Sequence, residues 1–288
     1  MILITGASGN VGKEVLEQAV SAGLKIRAAY QSAEKAKAAP AGAETVIMDY
    51  ARAETVRAAL KGIEKAFLVG PPTANVAEME GKFLEQAKGV GIKHLVKLSA
   101  MGGRGAKFPS LHRDSEEKIE GSGLVYTFLR PNGFMQNFVN YSSASIKAQG
   151  AFYGAQGDGA VSHIDIRDIA AAAVKVLSGS GHEGKAYALT GAEALTNEQA
   201  AEKLSRATGR TIRYVDLPPA DLKSAMMGAG VPEWPVDALL DLMRFYREGK
   251  ASTVDPTLEK LIGRPAIRFD QFARDYAGAF AEDVRAAG

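Results

Sequence analysis

Residues 1–23 read MILITGASGNVGKEVLEQAVSAG. Apolar residues lead straight into Gly6, Gly9 and Gly12, spaced by threes, and an amphipathic stretch begins near Asn10. The order of parts is strand, glycine loop, helix. One glycine permits a tight turn, a second lets an anionic group approach the backbone, and a third lets the helix lie close on the strand. A lone glycine loop also fits a plain tight turn, so the rest of the chain must decide.

Working outward, short apolar runs recur: MILIT, KIRAAY, ETVIMDY, KAFLVG, HLVKLS and VYTFLRP, each separated by a helix-like segment. Strands that are apolar throughout belong to a parallel sheet covered on both faces, since a half-exposed antiparallel strand would alternate. Gly62, Gly89, Gly91, Gly121 and Gly123 fall where the helices should end. After Arg130 the rhythm loosens. NGFMQNFVNYSSASIKAQG, LPPADLKSAMMGAGVPEWP and DALLDLMRFYREGK read as helices and loops, with short strands near AVSHI, KAYALTG and TIRYVDLP. The expected fold is α/β: a Rossmann-type doubly wound parallel sheet over 1–150, to which later segments return, and a smaller, partly helical C-terminal lobe over 151–288. A cleft is expected where the strand ends meet that lobe.

In this context the glycine loop predicts a dinucleotide site, with Gly6, Ser8, Gly9, Asn10, Val11 and Gly12 around the pyrophosphate. The end of the second strand discriminates the cofactors, because a carboxylate there binds a ribose 2′-hydroxyl and a cation accepts a 2′-phosphate. AAYQSAEKAK offers no Asp or Glu at Tyr30 to Ser32, whereas Lys35 lies four residues beyond Gln31. This favours NADP(H) over NAD, the alternative for Lys35 being a solvated helix face. Asp49 and Tyr50 are placed to border the adenine. Val69, Gly70, Pro71 and Pro72 are placed to pass under the pyrophosphate and ribose, and each is equally compatible with plain loop structure.

Composition narrows the partners. The 288 residues are 46% hydrophobic and 24% charged, with a net charge of +2 and no cysteine. Disulfides and thiolate chemistry are excluded. The even spread of Lys and Arg gives no reason to expect nucleic acid. No apolar run approaches the roughly 20 residues that span a bilayer, and Met1 runs directly into a strand, so a cytoplasmic protein without membrane contact is expected. The four histidines form no ligand-like cluster and G-x-S-x-G is absent, so neither a metal site nor an α/β-hydrolase is suggested. In SHIDIRDIAAAAVKVL, Asp165 reads as an N-cap, and Asp165 with Asp168 is the remaining carboxylate pair. A small-molecule partner is expected, and a homodimer is compatible with the sequence.

The stretches TGASGNVGKEV, MDYARAETVRAALKGIEKAFLVGPP, GIKHLVKLSA, VYTFLRPNGFMQNF, GHEGKAYALTG and EKLIGRP resemble the NmrA-like branch of the atypical short-chain dehydrogenase/reductases over nearly the whole chain. Within it the chain is similar to the bacterial NADPH-dependent quinone oxidoreductases and triphenylmethane dye reductases, and YTFLRPNGFMQNF is similar to reductases of ergot alkaloid synthesis. The resemblance implies the fold, an NAD(P) cofactor and a reductase. In typical members of the superfamily a Tyr-x-x-x-Lys pair, helped by a strand-end Ser, protonates a carbonyl oxygen. Ser99 stands at the expected place, but the Tyr and Lys positions fall on Phe108 and His112. Phenylalanine cannot donate a proton and histidine is no permanent cation. HRDSE instead matches the branch's H-x-x-x-E arrangement, with His112 and Glu116 one helical turn apart.

An electron-poor quinone or cationic dye accepts hydride with less need of an acid than a ketone has. The resemblance therefore implies Ser99 and His112 as catalytic residues, His112 supplying a proton or orienting the cofactor with a plain helix-surface position as its alternative, and places Pro131 and Phe134 of the PNGF turn near the nicotinamide. Met101, Phe134, Met135, Phe138, Phe152 and Trp234 are candidate walls for a flat apolar acceptor, with core packing as the alternative for each. The expected function is an NAD(P)H-dependent reductase of a small quinone-like or aromatic acceptor. Its rival is a catalytically silent NADP(H) sensor acting through a protein partner. Epimerase chemistry is disfavoured by Phe108.

Overall fold

The computed structural model describes residues 1–281, so 282–288 of the expected lobe lie outside the described residues. The chain runs β1 (Ile2–Ile4), α1 (Asn10–Ser21), β2 (Ile26–Tyr30), α2 (Ala33–Ala36), β3 (Ala43–Ile47), α3 (Ala53–Leu60), β4 (Lys65–Leu68), α4 (Val76–Val90), β5 (His94–Leu98), α5 (Lys107–Glu120) and β6 (Tyr126–Pro131). It continues through a π-helical turn at Phe138–Ser142, α6 (Ser143–Gln149), β7 (Ala151–Gly154), α7 (Ile166–Ser178), β8 (Lys185–Leu189), α8 (Asn197–Thr208) and β9 (Arg213–Asp216). Helices α9 (Pro219–Gly228), α10 (Glu233–Arg247), α11 (Thr257–Ile262) and α12 (Phe269–Asp275) follow.

Seven parallel strands form the main sheet in the order β3-β2-β1-β4-β5-β6-β8. The order reverses between β1 and β4, and in open α/β sheets the crevice at that switch point is where a ligand binds. Both faces are covered, which is why the central strands lack alternation. Val11, Val15 and Leu16 of α1 pack with Ile169, Ala173 and Val176 of α7 on one face. Val56 and Leu60 of α3, Phe83 and Leu84 of α4 and Ile119 of α5 pack on the other. Strand β8, far along the chain, completes this sheet beside β6.

A second core forms the smaller lobe and draws Phe138 and Ile146 from before the expected boundary at 150. Phe138, Ile146, Phe152, Leu204, Phe269, Phe272 and Phe280 are buried together there, beside the two-stranded parallel pair β7-β9. Asp165 caps α7 as its sequence context predicts, accepting from the Arg167 N–H at 2.9 Å. Asp168 is an anchor: its carboxylate accepts from the Ile267 N–H at 2.7 Å and pairs with Arg264 at 2.7 Å, tying the chain after α11 to α7.

Two local expectations differ. AVSHI forms isolated bridges, Val161 with Leu195 and Ile164 with Phe134, and no strand. Gly89 lies inside α4, because the left-handed turn that ends the helix is made by Gly91 at φ +72°.

Candidate active site

The glycine loop follows from how β1 ends. Thr5 is fully buried, and its hydroxyl donates to the Phe67 and Val69 carbonyls at 3.1 and 3.3 Å while accepting from the Val69 N–H at 2.7 Å. It thus clamps the ends of β1 and β4 together. Gly6 then turns with φ +62°, and α1 lies so close that a Cβ on Gly12 would sit 2.1 Å from the Gly6 carbonyl oxygen. Gly9 is the N-cap; no side chain caps α1, and its first turn holds no acid. Amides in that turn lack helical acceptors and carry the positive end of the helix dipole, so the loop fits a pyrophosphate. Ser8, Gly9 and Asn10 are exposed, whereas the Val11 side chain is buried in the core and leaves only its amide for a ligand.

At the end of β2, Lys35 Nζ donates to Gln31 Oε1 at 3.0 Å, and both side chains are exposed. Ser32 caps α2 by accepting from the Lys35 N–H. A cation, an amide and a hydroxyl meet here, and the one acid of that turn, Glu34, pairs with Lys37 at 2.6 Å. Asp49 is engaged in its own turn, accepting from the Ala51 N–H at 2.8 Å. The Tyr50 hydroxyl donates to the Val69 carbonyl at 2.8 Å, and burial pushes its pKa up, keeping it protonated. Val69, Gly70 and Pro71 are half-buried. A Cβ on Gly70 would lie 2.5 Å from Val76 and 2.7 Å from Glu80, so only glycine fits that edge.

The expected catalytic residues are buried at the end of β5 and along α5, in two separate networks. Ser99 Oγ donates to Glu116 at 2.7 Å, and Glu116 also accepts from Arg130 at 2.8 and 2.7 Å and from Arg113 at 2.8 Å. Burial pushes the Glu116 carboxyl up, but these bonds outweigh it and the net shift is downward. His112 is bonded differently from its H-x-x-x-E partner: its Nδ1 lies 3.3 Å from Lys97 Nζ, and its ring meets the Phe108 ring edge-on at 4.9 Å. Burial, and then the Lys97 ammonium, hold the His112 pKa well below the usual imidazole range, so it is neutral near pH 7.

Beyond β6, Met101 N–H donates to the Pro131 carbonyl at 2.9 Å, joining the ends of β5 and β6. Asn132 fixes the next turn, donating to Ser162 Oγ and the Ala251 carbonyl at 2.8 Å each. A Cβ on Gly133 would come within 3.0 Å of His163 Nδ1 and 3.1 Å of the Tyr246 hydroxyl. Phe245 of α10 lies against Gly102 and Gly105, so α10 borders the strand ends that carry Ser99 and Pro131.

The candidate walls divide. Met101 and Phe134 are half-buried at the ends of β5 and β6. Met135, Phe138 and Phe152 are only 1%, 6% and 3% exposed, inside the lobe's aromatic core, where Phe138 and Phe152 meet edge-on at 5.4 Å. Such side chains offer no face to an acceptor, and their period reflects packing. Trp234 lines a groove between residues 104–111 and α10, with Asp241 and Arg244. Sequence reasoning missed Lys97, Glu80 and Tyr246; only Lys97 left a cue, as a charge inside the apolar run HLVKL.

The NmrA-like family matches residues 1–264 of the chain. An NAD(P)H azoreductase of Xenophilus azovorans is 37% identical, over 97% of this chain and 99% of its own. The Escherichia coli NADPH-dependent quinone oxidoreductase QOR2, solved with NADPH, is 31% identical with a TM-score of 0.88, covering 96% of this chain and 99% of that one. The Citrobacter sp. triphenylmethane reductase, solved with NADP(H), is 26% identical with a TM-score of 0.87, covering 96% and 100%.

Proposed function

Because the chain belongs to the NmrA-like family, we propose that it is an NADPH-dependent reductase of small quinone-like or other conjugated aromatic acceptors. The observation that carries this is the reacting end of the site: Phe108 and a neutral, buried His112 stand where a Tyr and Lys would serve carbonyl reduction. A neutral imidazole is a weak acid but a good hydrogen-bond donor. It suits an acceptor whose conjugation already stabilises the charge that hydride brings.

The dihydronicotinamide, when bound, supplies the hydride. The amides from Asn10 to Gly12 would hold the pyrophosphate, and Lys35 with Gln31 and Ser32 would take the 2′-phosphate, the lack of an Asp or Glu at residues 30–32 favouring NADPH over NADH. Tyr50 and the Val69–Pro71 edge support the adenosine side. His112 donates to the acceptor's oxygen or nitrogen as negative charge develops, while Met101 and Phe134 give it an apolar surface. Ser99, its proton held by Glu116, orders the end of β5.

His112→Ala should lower kcat with a naphthoquinone by about 10²-fold, the usual loss on removing one donor to a developing anion, and leave NADPH affinity within about twofold. Steady-state turnover beside calorimetric titration of NADPH separates the two quantities. Full activity in the variant would take His112 out of the reaction, and NADPH binding without turnover of any acceptor in the unmodified protein would favour the sensor.

A further inference from the structure

Lys97 is the penultimate residue of β5 and has no exposed surface. A buried ammonium must be surrounded by acceptors. It donates to both Glu80 oxygens, at 2.8 and 2.6 Å, and to the Leu98 carbonyl at 3.2 Å, and its remaining neighbour is His112 Nδ1 at 3.3 Å. Glu80, 1% exposed on α4, also accepts from the Gly70 N–H at 3.0 Å and from the Ser115 hydroxyl. One buried ion pair therefore joins the turn after β4, the end of β5 and the helix that carries His112. Stability is a weak reason for such a pair, since apolar residues of similar volume often do as well or better.

The chemistry of the contact is one-directional. An ammonium has three protons and no lone pair; with two directed at the Glu80 oxygens, the third is shared between the Leu98 carbonyl at 3.2 Å and Nδ1 at 3.3 Å, so Nδ1 is an acceptor. The proton of the neutral ring then sits on Nε2. We propose that Lys97, held by Glu80, is a positioning residue for acceptor reduction: it fixes His112 in the Nε2–H form and polarises that N–H for the acceptor's heteroatom. This rests on the reading of His112 given above. No proton has to leave the ring. The hydride carries two electrons from the dihydronicotinamide to the acceptor, the Nε2–H stabilises the resulting anion, and water protonates the product.

The direct test is nitrogen NMR of the protein labelled at its histidines, with the His112 signals assigned by their loss in His112→Ala. The expected spectrum shows Nδ1 unprotonated and hydrogen-bonded and Nε2 protonated; an Nδ1–H ring or an imidazolium near pH 7 overturns the proposal. The functional test is the double variant Lys97→Met/Glu80→Gln. It leaves no lone buried charge: the amide oxygen that replaces one carboxylate oxygen still accepts from the Gly70 N–H, and the amide NH2 in place of the other donates to the Ser115 hydroxyl, which turns to accept. NADPH affinity should stay within about twofold, kcat should fall about tenfold, and Nδ1 should lose the signature of a bonded acceptor. Wild-type kcat in this variant overturns the proposal, and if the variant does not fold, the tautomer in the unmodified protein decides alone. The two readings fail separately. Full activity in His112→Ala removes the ring from the reaction and Lys97 with it, whereas low activity there beside wild-type turnover in the double variant removes Lys97 only.

Discussion

Gly9 and Gly12 lie in one loop and forbid side chains for different reasons. At Gly12 a Cβ would sit 2.1 Å from a backbone oxygen, so Gly12→Ala should push α1 off β1, destabilising the fold by about 1–3 kcal/mol as well as weakening NADPH binding. At Gly9 the nearest atom to a Cβ is 3.3 Å away and the side chain would point into the exposed loop. Gly9→Asp should fold with a melting temperature near that of the parent yet lose NADPH binding, because a carboxylate would occupy the anion's place; unchanged calorimetric affinity would remove the loop from the site. These glycines were legible in the sequence because their partners are sequence neighbours. The Lys97–Glu80 pair was not, since its members are 17 positions apart on a strand and a helix and meet only after folding.

At the scale of elements, the helix bearing His112 depends on a distant one. The N-cap residue of α5, Ala106, has no capping side chain, and Asp241 of α10 accepts from the Lys107 N–H at 2.6 Å instead. Burial pushes the Asp241 carboxyl up, but this bond and Arg244 outweigh it and hold it low. Asp241→Ala should cost about 1 kcal/mol of stability, read as a lowered urea midpoint, and Asp241→Asn should recover most of it. No recovery would mean that the bond is not a cap. In the lobe, Phe138→Ala should behave as a core deletion, losing about 3–5 kcal/mol. If it instead raised the KM for acceptors with stability intact, Phe138 would be a wall after all. The strands up to Arg130 were legible because each is a short apolar run between amphipathic helices. AVSHI was misread because its backbone bonds scatter over Leu195, Ala251, Gly191, Gly133 and Met135, so its apolar residues answer to core packing without a ladder.

Across the whole molecule, one acid-sensitive feature stands out: His94, His112 and His163 are buried, and burial lowers the pKa of each, that of His163 to about 4. A histidine near 6.5 when unfolded and lower when folded binds more protons in the unfolded chain between those values. Its stabilising contribution is therefore complete above about pH 6.5 and is lost as pH falls towards the folded pKa, for His163 alone by about 3 kcal/mol. Urea midpoints should drop between about pH 6.5 and 4, and His163→Gln should flatten that slope. A variant as acid-sensitive as its parent would refute the assignment.

The sheet order places the glycine loop, the Gly70 edge, Ser99 and the turn after Pro131 at the ends of neighbouring strands, the arrangement a dinucleotide reductase needs. The most direct test of the proposed activity is oxidation of NADPH and NADH, followed by dihydronicotinamide absorbance, with benzoquinone, naphthoquinone, azo dye and triphenylmethane dye acceptors. Acceptor-dependent oxidation of NADPH in preference to NADH is predicted. Tight NADPH binding with no oxidation by any of these acceptors would contradict it.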